Sequence, residues 1–123
     1  IEGKVAAGTG ENASGVAFAS ILVANTEPPT SSIDGTFDGY KTNGVFTETN
    51  YAYLATDDNA KELVIIDLNN KNPVTGKYAE VGSFNTPGSN INANSVYVSG
   101  NIGFLTAGST LYTINLANKS LAM

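Results

Sequence analysis

An all-β fold made of repeated antiparallel units is what this sequence predicts, and three observations carry the prediction. Short runs rich in Val, Ile, Tyr, Phe and Thr alternate with clusters of Asn, Gly, Asp and Pro, the chemistry of strands and turns. No stretch shows an apolar stripe at helical spacing. A long segment recurs: NGVFTETNYAYLATDDNAKELVIIDLNNK at 43–71 aligns with NSVYVSGNIGFLTAGSTLYTINLANK at 94–119.

In the alignment Asn43 falls on Asn94, Val45 on Val96, Asn50 on Asn101 and Leu54 on Leu105. After a shortening of DDNAKE to GST, Leu63 falls on Leu111, Ile66 on Ile114, Leu68 on Leu116, Asn70 on Asn118 and Lys71 on Lys119. The deletion sits between two apolar runs, at a hairpin tip, where a change in length costs little. Upstream, GTFD at 35–38 matches GSFN at 82–85, with Gly35 on Gly82 and Phe37 on Phe84.

Taken in order, residues 1–14 (IEGKVAAGTGENAS) read as a flexible connector. Residues 15–37 read as a partial strand region or the end of a preceding unit, interrupted at 27–32 by EPPTSS, whose prolines cannot donate to a ladder. The first repeat, 38–84, predicts strands at about 43–48, 51–56, 63–68 and 78–84. The second, 85–123, is incomplete and predicts strands at about 94–99, 102–107 and 110–116. The tight links TETNY and VSGNI place Thr49 and Gly100 beside Asn, as a short hairpin needing positive φ requires. Ile66 and Ile114 should occupy equivalent buried positions. Four antiparallel strands per unit predict about two blades of a β-propeller, the second lacking its last strand; the alternative is a β-sandwich. An unpaired last edge would make these residues a fragment that associates when expressed alone.

The stretches NYAYLATDD (50–58) and ELVIIDLNN (62–70) resemble the LVIVD repeat of bacterial and archaeal β-propellers, with Leu63, Val64, Ile65, Ile66 and Asp67 as the name-giving pentapeptide. The second copy departs from it, with Asn115 in place of the aspartate. The resemblance implies a secreted or cell-surface propeller, completed by further blades of the same chain, and supplies no catalytic residues.

Composition excludes several functions. Eleven acids face six lysines, for a net charge of −5, with no arginine to grip phosphates, so neither nucleic acid nor insertion into a membrane is expected. The absence of histidine and cysteine removes the usual general base, the thiolate nucleophile and the commonest zinc ligands. The chain starts at Ile1, so a leader could have been removed. No catalytic residue, cofactor or metal site is assigned. Asp57, Asp58 and Glu62 bracket one hairpin tip and invite a calcium reading, but their spacing departs from the calcium loop and a solvated turn is the expectation. Asp67 is expected to accept backbone N–H bonds in a turn, which Asn115 could do equally, rather than to abstract a proton. Tyr40, in the loop DGYKT, is the aromatic residue expected to meet a ligand, with Asp57 and Asp58 as further candidate contacts. The function expected is a non-enzymatic scaffold for a protein or glycan. The alternatives are an enzyme whose active residues lie on other blades and a structural subunit of a surface layer or filament.

Overall fold

A computed structural model describes residues 4–9, 15–24 and 30–121. Those residues form ten strands: β1 (Lys4–Gly8), β2 (Val16–Ala24), β3 (Thr30–Asp38), β4 (Thr42–Glu48), β5 (Tyr51–Thr56), β6 (Leu63–Lys71), β7 (Tyr78–Phe84), β8 (Ala93–Ser99), β9 (Ile102–Ala107) and β10 (Thr110–Asn115), followed by one 3₁₀ turn at Lys119–Leu121. They make three antiparallel sheets in simple up-and-down order: sheet I is β1-β2-β3, sheet II is β4-β5-β6-β7 and sheet III is β8-β9-β10.

The repeat is reproduced bond for bond in sheets II and III. The Leu68 amide donates to the Asn50 carbonyl at 2.7 Å, and the Leu116 amide to the Asn101 carbonyl at 2.8 Å. Asp57 bonds back to Lys41 as Gly108 does to Asn92, both at 3.1 Å. Both first hairpins carry a bulge at the same place, between Thr42 and Gly44 and between Ala93 and Ser95. Thr49 and Gly100, the two turn residues, have φ of 54° and 60°. Asp67 accepts from the Asn69 amide and Asn115 from the Ala117 amide, each at 2.9 Å, so the carboxylate and the amide perform the same turn closure.

Sheet I is a third copy that identity alone does not reveal. Its β1-β2 register, Gly8 opposite Phe18, is that of Ala55 opposite Leu63 in sheet II. Phe37 faces Phe18 as Phe84 faces Leu63, and both ladders break one residue after a glycine pair, between Ser20 and Ile21 and between Ile65 and Ile66. Sheet I thus holds the counterparts of β5, β6 and β7, and sheet III those of β4, β5 and β6. Lys4–Gly8 falls within the stretch read as a connector, yet it is a strand. Its small side chains fit where space is short, since a Cβ on Gly8 would lie 2.7 Å from Thr42 Cγ2. Thr30–Ser32, read as the end of a linker, already belong to β3. Residues 1–3, 10–14 and 25–29, with the rest of the expected connector and Pro28 and Pro29, lie outside the described residues.

Sheet II is buried on both faces, which explains why ELVIID reads as a continuous apolar run rather than an alternating one. Ala52, Leu54, Val64 and Ile66 pack against Ala17, Phe18 and Phe37 of sheet I. Tyr53, Ala55, Leu63 and Ile65 pack against Val98, Leu105 and Ile114 of sheet III and Leu116 just after it. Ile66 and Ile114 are 0% and 1% exposed and each faces the preceding sheet, as the alignment anticipates. Leu63 and Leu111 part company: the first is fully buried, the second 61% exposed, because no described element covers the far face of sheet III.

Gly35 and Gly82 coincide in the repeat because later chain crosses over both. A Cβ on Gly35 would lie 2.6 Å from the Tyr78 ring and 2.9 Å from Lys71 Cδ. One on Gly82 would overlap the Lys119 carbonyl. Lys71 and Lys119 are themselves aligned, so β3 and β7 are each crossed by an equivalent part of the following unit.

Candidate functional site

The loops after β3 and β5 meet at one end of sheet II and bring Tyr40, Asp57 and Asp58 together. With Gly39, Lys41 and Asn59 they line a cavity of about 240 Å³. Local turn chemistry fixes the tip: the Asp58 amide donates to Thr56 Oγ1 at 3.1 Å, and Asp58 Oδ1 accepts from the Ala60 amide at 2.9 Å. Asp57 is held by Lys41 Nζ at 3.2 Å and by Asn43 Nδ2, which also donates to the Ala93 carbonyl of sheet III at 2.8 Å.

Tyr40 is half-buried. Its ring stacks on Phe37 at 5.8 Å between centroids with 10° between planes. Its hydroxyl donates to Glu80 Oε1 at 2.7 Å, while Lys61 Nζ donates to Glu80 Oε2, also at 2.7 Å, and stands 6.0 Å from the Tyr40 ring. Burial and the Glu80 bond push the Tyr40 phenol up, and the Glu80 bond pushes the Lys61 amine up to about 12. Both groups therefore keep their protons at neutral pH. The Tyr40 ring, held by Phe37 and Glu80, forms an aromatic ledge beside Asp57 and Asp58. Tyr97, at 57% exposure, stands further into solvent than the sequence suggested for any tyrosine but Tyr40.

Glu62 leaves this group. It is 1% exposed, and its Oε2 accepts from the Thr86 amide at 2.9 Å, pinning the connection between β7 and β8. The solvated turn expected for all three acids therefore holds only for the tip itself.

A second polar constellation was not singled out in the sequence. Between sheets I and II, Ser20 Oγ and Tyr78 Oη lie 2.7 Å apart, and both lie 3.3 Å from Asp34 Oδ2. Lys4 Nζ meets the same oxygen at 2.9 Å, and Lys71 Nζ reaches Asp34 Oδ1 at 3.2 Å and the Asp34 carbonyl at 2.9 Å. Bonds from Lys4 and then Lys71 hold the Asp34 carboxyl down to about 2, and the same bond raises the Lys4 amine. Serine, tyrosine, aspartate and lysine in contact suggest nucleophile chemistry by type. Ser20 is 1% exposed and bonded to Tyr78, and the cluster ties sheet I to sheet II. Only the pairing of Gly35 with Gly82 hinted at this crossing, and it did not identify the partners.

Among the described residues no three His, Cys, Asp or Glu side chains are grouped to hold a metal ion, and no helix is long and apolar enough to cross a membrane. In comparisons with known proteins, no family model, no curated protein and no solved structure matches the chain.

Proposed function

We propose that this chain is a set of β-propeller blades of the LVIVD-repeat kind, acting as a non-enzymatic scaffold that presents its loop end to a protein or glycan at the cell surface or in the extracellular space. The blade reading is supported by the matching register of the strands that sheets I and III each share with sheet II and by face-to-face stacking of consecutive sheets. The binding reading rests on one observation: Tyr40 from the loop after β3 and Asp57 and Asp58 from the loop after β5 line a single cavity.

Such a ledge suits a partner with one apolar face and several hydroxyl or amide groups. The Tyr40 ring offers flat apolar surface, and Asp57, Asp58 and Asn59 offer hydrogen-bond acceptors and a donor at its rim. A printed panel of glycans and extracellular proteins, probed with the labelled chain, tests this. Binding should fall about tenfold or more in Tyr40→Ala, the loss of an aromatic anchor being worth about 2 kcal/mol. No binding, or binding that Tyr40→Ala leaves unchanged, overturns the reading.

A further inference from the structure

Two sheet faces have no other sheet of the described residues packed on them, and by register they match the two sides of the contact that joins consecutive sheets. Within the chain, sheets II and III each dock on the preceding sheet through a near face: Ala52, Ile66 and Leu68 in sheet II, with Leu105 and Ile114 in sheet III and Leu116 directly after β10. By register, Val5, Ile21 and Val23 hold the corresponding near-face positions of sheet I, where β1 and β2 match β5 and β6. Val5 and Val23 are 51% and 41% exposed, and Ile33, the cross-strand neighbour of Ile21, is 69% exposed.

The far face of sheet III shows the complementary half. Ile102, Phe104, Leu111 and Thr113 stand where Tyr51, Tyr53, Leu63 and Ile65 of sheet II receive sheet III. Ile102 and Leu111 are 49% and 61% exposed, and a hollow of about 560 Å³ opens beside Ile102, Phe104 and Thr113. None of the residues named on either face is charged, in a chain of net charge −5. Contiguous exposed apolar patches on a folded surface are characteristic of interaction sites.

We propose that the far face of sheet III docks on the near face of sheet I in a second copy of the chain, head to tail. The inference rests on the stacking of repeated sheets and is independent of ligand binding at the Tyr40 cavity. The contact is heterologous, since different surfaces meet, so it either closes into a ring or continues as a filament.

Sedimentation velocity on the chain and on two single variants tests this. The wild type should associate with rising concentration. Ile33→Lys and Leu111→Lys should each sediment as monomer, with the dissociation constant raised at least about tenfold by a lysine buried without a partner. An equimolar mixture should regain dimer, because the intact far face of Ile33→Lys fits the intact near face of Leu111→Lys. Circular dichroism and urea midpoints confirm that both substitutions, at exposed positions, leave the fold intact. Hydrogen exchange supplies a variant-free readout: amides of β1, β3, β9 and β10 should gain protection with concentration while those of β5 do not. A monomeric wild type, as expected if further sheets of the same polypeptide normally cover these faces, overturns the proposal. So does association that either variant preserves, or a mixture that stays monomeric.

Discussion

The boundary between sheets I and II and the boundary between sheets II and III join equivalent faces of matched strands and differ in chemistry. Where Ile65 and Val81 face sheet III, the corresponding residues of sheet I are Ser20 and Asp34. Where Lys4 completes the first boundary, Tyr51 stands in the second. The aligned lysines adapt accordingly: Lys71 pairs with Asp34, whereas Lys119 sits 5.2 Å from the Tyr51 ring centroid and donates to the Leu116 carbonyl at 2.8 Å. Apolar packing and a satisfied polar network thus serve the same stacking. The second boundary draws stability from burial, which pH barely affects, and the first draws part of it from ionised groups.

The largest expected effect tests the apolar boundary. Ile65→Ala and Ile114→Ala should each cost about 2 to 5 kcal/mol in urea unfolding, as deletions from a close-packed core do. A cost below about 1 kcal/mol at both positions would mean that the sheets are loosely apposed.

Acid sensitivity should belong to the other boundary. Because the folded Asp34 carboxyl is held at about 2, below its ordinary 3.8, its contribution is complete above about pH 4 and is lost as pH falls toward 2. Asp34→Asn should remove that part of the acid dependence and cost about 1 to 2 kcal/mol at pH 7. Equal acid profiles for the variant and the wild type would show that the ion pairs with Lys4 and Lys71 do not stabilise the junction.

The two equivalent turns sharpen the comparison further. Thr49 holds a φ of 54° with a β-branched side chain, whereas Gly100 holds 60° without one. Thr49→Gly should raise stability by about 0.5 to 1 kcal/mol, and Gly100→Thr should lower it by about 1 kcal/mol or more. At the bottom of the scale, Ser109→Ala at an exposed hairpin tip should stay within about 0.5 kcal/mol of the wild type.

How much of this was legible depends on what repeats. The strands of sheets II and III were readable to within a residue or two at most ends because Leu54 and Leu105, Ile66 and Ile114, and Leu68 and Leu116 recur in register. Sheet I was read only in part: 15–37 could be assigned as strand or the end of a preceding unit. Its copy keeps hydrogen bonds and bulges but not side chains, and Ser20 or Asp34 does not announce itself as the partner of Ile65 or Val81. Tyr40, Asp57 and Asp58 were legible as loop residues with useful chemistry. Their convergence was not, since it follows from how the loops after β3 and β5 meet. Glu62 was misplaced among solvated acids because sequence alone does not show that Thr86 returns to bond it.

The crossings at Gly35 and Gly82 carry a consequence for how the chain is made. The segment that clasps β3 lies at residues 71–78, and the one that clasps β7 begins at Lys119. During synthesis from the N-terminus, each sheet therefore waits for dozens of later residues before its outer strand is fastened. Maturation should run as a relay, with every newly made unit locking the one before it and leaving its own last position open.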